Sequence, residues 1–184
     1  MSGTVIWITG LSGSGKTSLG LELCERLRSA EVSPIWLDGD YLRNIFQIEN
    51  NLNVSYVRAT RVKLAFRYSK LCQLLALQGF TVIIGTISMY KEIYTWNRSN
   101  LGNYFEVYLK VPMSELRKRD PKKIYKRFDD GLLENVSGLD LSVDFPLSPD
   151  LTLDFETHPN FWKTPSVLSK KVMQELTKKI KFDN

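Results

Sequence analysis

The chain has 184 residues, 43% of them hydrophobic and 24% charged, which is the length and composition of one ordinary globular domain. No apolar run approaches the length that spans a bilayer, so a membrane-spanning segment is excluded. The net charge of +5 favours anionic partners, but the basic residues are spread along the chain, apart from a run at residues 117–127. We therefore expect small phosphate-bearing ligands and no stable nucleic-acid partner.

The cysteines and the amino terminus predict a cytoplasmic protein. Cys24 and Cys72 each lie within a helical apolar pattern and belong to no CxxC motif, so we expect reduced thiols in the core. The first three residues lead directly into a strand, without the basic region or the cleavage site of a signal peptide. We expect no membrane partner.

The first predicted strand, residues 5–9, leads into a glycine-rich loop, residues 10–17 (GLSGSGKT), and then into a helix over residues 18–28. The loop fits the pattern G-x-x-x-x-G-K-[ST], in which backbone N–H groups converge on a phosphate chain at the start of a helix. We expect Lys16 to reach the β- and γ-phosphates and the Thr17 hydroxyl to hold Mg²⁺. ATP or GTP is the predicted ligand. The nucleotide is expected to contact Gly10, Ser12, Gly13, Ser14, Gly15, Lys16, Thr17 and Ser18.

Two carboxylates follow the next predicted strand, residues 34–37. Asp38 and Asp40 flank a glycine, and one is suited to orient a metal-bound water while the other takes a proton from an acceptor. The alternative is a structural one, in which an aspartate only caps the turn. Arg43 comes one helical turn later, where its forked guanidinium could bind an anionic substrate through two hydrogen bonds.

The rest of the chain alternates strands and helices. Helical spacing of apolar residues predicts helices at 57–77, 113–118 and 166–180, and β-branched or apolar runs predict strands at 80–84, 104–111 and 151–154. This order predicts an α/β fold with a parallel five-stranded sheet and helices on both faces, in which ligands bind at the carboxyl ends of the strands. The polar segment at roughly 120–149 is too long for a passive connection and is predicted to be a lid.

Several segments together resemble the adenylylsulfate kinases. Besides the phosphate loop, residues 37–43 (LDGDYLR) are similar to the family's LDGDNVR, and residues 119–125 (RDPKKIY) to its RDPKGLY. Ile87 and Ser88 stand where the family has FISPYR, and residues 137–140 (SGLD) followed by Pro146 are similar to its FTGID…P. The resemblance covers nearly the whole chain. It implies a single P-loop kinase domain over residues 1–184.

In that family, ATP with Mg²⁺ phosphorylates the ribose 3′-hydroxyl of adenosine 5′-phosphosulfate. The resemblance implies that Asp40 is the catalytic base, that Asp38 supports the metal together with Thr17, and that Arg43 binds the acceptor's 5′ anionic group. Arg58 stays open as an alternative to Arg61 for a second acceptor-binding arginine. By resemblance, the catalytic set is Asp40, Lys16 and Ser88, and the lid over ATP contains Arg119 and Lys122. The acceptor is also expected to contact Asp38, Arg61, Ile87 and Ser88.

The acceptor half of the family pattern departs most in this sequence. Val54 and Val136 stand for two phenylalanines that sandwich the acceptor adenine, Leu64 for an asparagine, and Glu134 for a lysine. Stacking of this kind contributes about 1–3 kcal/mol per base, so these changes weaken the case for adenylylsulfate. The segment from Thr86 resembles divergent relatives found with surface-polysaccharide pathways, which include cytidine diphosphoramidate kinase.

These observations predict an ATP- and Mg²⁺-dependent kinase that acts on the ribose 3′-hydroxyl of a small nucleotide-like acceptor. A cytidine diphosphoramidate-type acceptor in surface-polysaccharide synthesis is the preferred reading, and an adenylylsulfate kinase is the alternative. A nucleotide-dependent regulatory switch is the alternative of another class, although the chain has no guanine-reading N-K-x-D motif. Relatives in this family are commonly dimers, so a homodimer is left open.

Overall fold

The computed structural model describes residues 3–46 and 57–182, and within them five parallel strands form one sheet in the order β2-β3-β1-β4-β5. The strands are β1 (Thr4–Thr9), β2 (Ile35–Asp38), β3 (Val82–Thr86), β4 (Asn103–Lys110) and β5 (Leu151–Asp154). The α-helices are α1 (Lys16–Ser29), α2 (Gly39–Ile45), α3 (Arg58–Leu77), α4 (Lys91–Asn100), α5 (Met113–Arg119), α6 (Ile124–Asp129) and α7 (Pro165–Phe182). A 3₁₀ turn spans Pro159–Lys163. The predicted parallel five-stranded sheet is confirmed.

Strand β1 lies at the centre of the sheet and is buried on both faces. Val5 and Trp7 pack into an apolar cluster with α3 and α4, whereas Ile6 and Ile8 pack on the opposite face with α1 and α7. Because a parallel strand covered on both faces needs apolar side chains at every position, the run of consecutive apolar residues in β1 follows from its place. Helices therefore cover both faces, as predicted.

The sequence pattern missed helix α4. Its ten residues include Lys91, Glu92 and Arg98, and only Ile93 and Asn97 are buried, so apolar periodicity is weak. Its first turn receives a cap from far along the chain, because the Asp144 carboxylate accepts a hydrogen bond from the Lys91 backbone N–H at 3.0 Å. The residues near Lys91 in the sequence give no indication of this cap.

The polar segment 120–149 folds against the carboxyl edge of the sheet. It contains α6, whose first turn is capped by the Asp120 carboxylate through the backbone N–H groups of Ile124 at 2.8 Å and Lys126 at 2.9 Å. Farther along, Asp144 also accepts a hydrogen bond from Arg58 at 2.8 Å. The segment is thus an ordered wall over the sheet, and its closing motion stays a prediction. None of the helices in the described ranges has the length and hydrophobicity needed to cross a bilayer.

Strand β4 carries a buried carboxylate, Glu106. The Glu106 side chain is 3% exposed, and its Oε2 accepts hydrogen bonds from Arg98 Nη2 and the Tyr104 hydroxyl, both at 3.3 Å. Its other oxygen has no hydrogen-bond partner among the described residues. Burial raises the pKa of Glu106 from 4.5 to about 7, although the nearby charge of Arg98 opposes the rise.

This raised pKa predicts a loss of stability as pH rises. Between pH 4.5 and about 7 the folded protein keeps a proton on Glu106 that the unfolded chain releases, so this group's contribution to stability disappears across that window. Glu106→Gln removes the dependence and is expected to raise the free energy of unfolding at pH 8 by up to about 3 kcal/mol, with little change at pH 4.5.

Urea unfolding of both proteins at several pH values measures the difference. The exposed Glu25→Gln on α1 serves as the control and should follow the unsubstituted protein at every pH. A difference between Glu106→Gln and the unsubstituted protein that does not change with pH would contradict the prediction.

Candidate active site

A cavity of about 780 Å³ opens at the carboxyl ends of β1, β2 and β3 and is roofed by the segment 119–137. Most of the residues singled out from the sequence line this one cavity, although they come from five separate parts of the chain. They are Ser12, Gly13, Gly15, Lys16, Thr17, Ser18, Asp38, Asp40, Arg43, Arg61, Ile87, Arg119 and Lys122. The topology of the sheet explains the convergence, since the loops that follow parallel strands meet at one edge.

The glycine-rich loop has the conformation that phosphate binding requires. Gly13 and Gly15 adopt φ angles of 77° and 95°, in the left-handed region that glycine enters without steric penalty. Gly15 precedes α1 and offers no side-chain cap, so no N-cap side chain competes with a ligand for the N–H groups of the first turn. An anion placed there would accept hydrogen bonds from these N–H groups.

Lys16 is held inside the loop by the loop's own carbonyl groups. Its Nζ donates hydrogen bonds to the carbonyl oxygens of Gly10 and Leu11, both at 2.8 Å. Burial lowers the pKa of Lys16 to about 8, although the charge of Asp40 opposes the shift. Gly10 and Ser14 lie behind the wall and build the loop, and Ser14 is fully buried.

Asp38 divides its two carboxylate oxygens between a structural and a candidate ligand-binding role. Oδ1 caps α2 by accepting a hydrogen bond from the Asp40 backbone N–H at 2.9 Å. The alternative in which this aspartate caps the turn is therefore correct for one of its two oxygens. Oδ2 accepts a hydrogen bond from the Thr17 hydroxyl at 3.1 Å. A hydroxyl and a carboxylate at the cavity wall are hard oxygen donors, which suit Mg²⁺ completed by phosphate oxygens and water.

Asp40 forms an ion pair with Lys122, which reaches it from the connection between α5 and α6. Burial by itself would raise the pKa of Asp40, but Lys122, Arg43 and Lys16 outweigh it and lower the pKa overall. The pair joins residues 82 positions apart and links the roof of the cavity to its floor. In this state the carboxylate is a weak base.

The two candidate arginines of α3 lie in different places. Arg61 lines the cavity and donates hydrogen bonds to the Ser137 hydroxyl at 3.0 Å and the Asn135 carbonyl oxygen at 2.7 Å. Arg58 instead binds Glu92 at 2.9 Å and Asp144 at 2.8 Å, against α4. The geometry therefore favours Arg61 over Arg58 as a residue that meets a ligand.

The structure does not bring Ser88 to the cavity wall. Its side chain is 8% exposed, and its hydroxyl lies 2.7 Å from the Thr86 hydroxyl, which does line the cavity. The sequence-based expectation that Ser88 contacts substrate is therefore not supported by its position in this conformation. Val136 does line the cavity, and Val54 lies outside the described residues.

Arg119 lines the cavity as predicted, but its aromatic partners were not predicted from the sequence. Its guanidinium stacks on the rings of Phe155 and Trp162, with the guanidinium carbon 5.0 and 5.5 Å from their centroids. Arg127 and Asn135 also line the cavity, and neither was predicted as a site residue. Arg127 belongs to the run of basic residues at 117–127, which is a signal in the sequence, whereas nothing local marks Trp162 as a partner of Arg119.

The family model for adenylylsulphate kinase matches residues 2–154 of the chain. A cytidine diphosphoramidate kinase from Campylobacter jejuni is 38% identical over 168 residues, which cover 91% of this chain and 95% of that enzyme. An adenylyl-sulfate kinase from Pseudomonas aeruginosa is 33% identical over 152 residues, which cover 82% of this chain and 76% of that enzyme. Among solved structures, the APS kinase of Mycobacterium tuberculosis in complex with AMPPNP and APS has a TM-score of 0.82 and 29% identity, and covers 96% of this chain and 98% of its own.

Proposed function

This chain belongs to the adenylylsulfate kinase family and is a phosphotransferase, and on that premise we propose that it moves the γ-phosphoryl group of ATP to the ribose 3′-hydroxyl of cytidine 5′-diphosphoramidate. The observation that carries the chemistry is that the phosphate-loop lysine and a carboxylate, Lys16 and Asp40, line the same cavity. The acceptor rests on the similarity to the Campylobacter jejuni enzyme over 95% of that enzyme's length.

We assign the ATP phosphates to the glycine-rich loop. The N–H groups at the start of α1, which have no N-cap side chain, and the ammonium group of Lys16 would stabilise the negative charge of the phosphates. The folded loop already holds both in place, so little reorganisation is needed when the ligand binds. Thr17 and Asp38 would hold Mg²⁺, which supplies further positive charge to the phosphate oxygens. Arg119, already ordered by two aromatic rings, lies on the wall where an ATP base could rest on its planar guanidinium.

Asp40 is the proposed general base. It takes the proton of the acceptor's 3′-hydroxyl while that oxygen forms a bond to the γ-phosphorus of ATP, and the bond from the γ-phosphorus to the bridging oxygen breaks to release ADP. Arg43 and Arg61 face the same space and would bind the 5′ anionic group of the acceptor. The products are ADP and the 3′-phosphorylated acceptor.

Lys122 has to leave Asp40 for this step. While the ion pair lasts, Lys122 helps to keep the pKa of the carboxylate low, and a base of low pKa accepts a proton poorly. Phosphate groups entering the cavity offer Lys122 more negative charge than one carboxylate does. We propose that Lys122 moves to the phosphates, and Asp40 then becomes a stronger base only when the substrates are in place.

An adenylylsulfate kinase is the second candidate, favoured by the TM-score of 0.82 with the APS kinase from Mycobacterium tuberculosis. The wall residue Val136 argues against it, because a valine offers no ring on which an adenine could stack. Polysaccharide synthesis as the pathway, a homodimer and the cytoplasmic location stay predictions from the sequence.

ADP release with a matched pair of acceptors tests the proposal. With ATP and Mg²⁺, cytidine 5′-diphosphoramidate is expected to give a kcat/KM at least about tenfold above that of adenosine 5′-phosphosulfate, and the product should carry its new phosphate on the 3′-oxygen. The expected ratio follows from the stacking lost at the adenine site. A higher value for adenosine 5′-phosphosulfate would support the second candidate. Fast ATP consumption without any acceptor would favour a regulatory switch.

A further inference from the structure

Glu134 differs from the other carboxylates on the cavity wall. Among the described residues the wall has three carboxylates, Asp38, Asp40 and Glu134. Asp38 caps α2 and binds Thr17, and Asp40 pairs with Lys122. Glu134 has no hydrogen bond or ion pair with any residue in the ranges 3–46 and 57–182. It is therefore the wall carboxylate that is free to accept a hydrogen bond from a ligand.

The turn that carries Glu134 is fixed by contacts on both of its sides. The Asp140 carboxylate accepts hydrogen bonds from the backbone N–H groups of Asn135 at 2.7 Å and Val136 at 2.6 Å. Arg61 binds the carbonyl oxygen of Asn135 from the cavity side at 2.7 Å. The backbone next to Glu134 is thus held in place by three hydrogen bonds, and Asn135 keeps a left-handed φ of 59°. A fixed backbone positions the carboxylate for recognition.

The charge around Glu134 indicates which part of a ligand it faces. The other charged residues of the wall, apart from the two committed aspartates, are cations, namely Lys16, Arg43, Arg61, Arg119, Lys122 and Arg127. These suit phosphate groups, whereas a carboxylate repels them. The uncommitted carboxylate therefore suits the uncharged end of a nucleotide, where the hydrogen-bond donors are the amino groups of the base. Carboxylates are the side chains that accept from the exocyclic amino group of cytosine.

We infer that Glu134 is a specificity-determining residue that accepts a hydrogen bond from the exocyclic amino group of the acceptor base and thereby selects cytosine over uracil. This inference rests on the proposed function, in which the acceptor is a cytidine nucleotide. Uracil carries a carbonyl oxygen in place of the amino group, so it meets Glu134 with two facing acceptors and no proton between them.

Binding of cytidine 5′-diphosphate and uridine 5′-diphosphate tests the assignment by calorimetry. Saturation with Mg²⁺ and AMPPNP first fills the ATP side, so that the diphosphates report on the acceptor side. The unsubstituted protein is expected to bind the cytidine compound at least about tenfold more tightly. Glu134→Gln should bring the two dissociation constants within about threefold, because an amide can donate to uracil as well as accept from cytosine. The exposed Glu25→Gln on α1 should keep the original preference.

Two results would overturn the role of Glu134, namely equal affinities in the unsubstituted protein or an unchanged preference in a folded Glu134→Gln. Circular dichroism establishes that the variant is folded. Parallel assays of turnover separate this inference from the proposed function. A cytosine preference that depends on Glu134, without phosphorylation of any cytidine acceptor, would reject the kinase assignment and keep the base-reading role. Turnover of the cytidine acceptor with no effect of Glu134→Gln would do the reverse.

Discussion

Replacing Asp40 by asparagine is expected to lower kcat by about 10²–10⁴-fold and to leave the protein folded. The amide cannot take the proton of the acceptor hydroxyl, whereas the ATP side of the site, with Lys16 and Thr17, stays intact. Stability should change little, because the Asp40 side chain is 58% exposed and a surface ion pair of this kind contributes little to folding. The KM for ATP is expected to remain close to that of the unsubstituted protein.

Steady-state ADP release, with circular dichroism to check the fold, measures this effect. Asp130→Asn is a matched control, because Asp130 also forms an exposed ion pair with a lysine, Lys126 at 2.9 Å, but lies outside the cavity wall. The control should retain turnover. If Asp40→Asn kept more than about a tenth of the original kcat, Asp40 would not be the general base.

Lys16→Ala is expected to reduce kcat by about 10²–10³-fold, since it removes a preorganised cation from the transferred phosphate. Affinity for AMPPNP should also fall, because the alanine leaves the loop without a charge that reaches the phosphates. The same loss should appear with every acceptor, unlike the effect of Glu134→Gln, which depends on the base. Lys16 therefore tests the ATP side of the site independently of the acceptor side.

Turnover and calorimetric binding of AMPPNP measure the two effects of Lys16→Ala. Lys70→Ala on the exposed face of α3 is the control, and it removes the same charge from the chain while leaving the cavity unchanged. Near-normal turnover in a folded Lys16→Ala, at any ATP concentration, would refute the assignment of the phosphate loop. A variant that binds AMPPNP normally but turns over slowly would mean that Lys16 stabilises the transition state and not the bound nucleotide.

The carboxyl edge of the sheet explains why the residues predicted from local motifs lie at one cavity. The loop of residues 10–17 follows β1, Asp38 ends β2 and Asp40 comes two residues later, so their place at one edge follows from the βαβ order. Their local geometry is also encoded nearby, because the Asp38 carboxylate caps α2 by accepting a hydrogen bond from the backbone N–H of Asp40, two residues away. Short-range hydrogen bonds and apolar periodicity were sufficient for these elements.

Contacts between distant parts of the chain escaped the sequence reading. The first turn of α4 is capped by Asp144, 53 positions away, and Arg58 is drawn away from Arg61 by Glu92 of α4 and by Asp144 of the segment 120–149. Ser88 followed the family pattern in sequence but turned toward Thr86. These contacts depend on how distant segments pack together, which cannot be predicted from patterns of neighbouring residues.

The amino-acid sequence by itself determined the α/β order, the phosphate loop and the paired carboxylates, because strand, loop and helix follow from interactions among residues close in the chain. Only the tertiary structure decided that Lys122 forms an ion pair with Asp40, that Arg61 and not Arg58 lines the cavity, and that Glu134 stands on its wall without a partner among the described residues. The reason is physical. These features arise from charges and hydrogen bonds between segments whose proximity is set by packing of the roof onto the sheet.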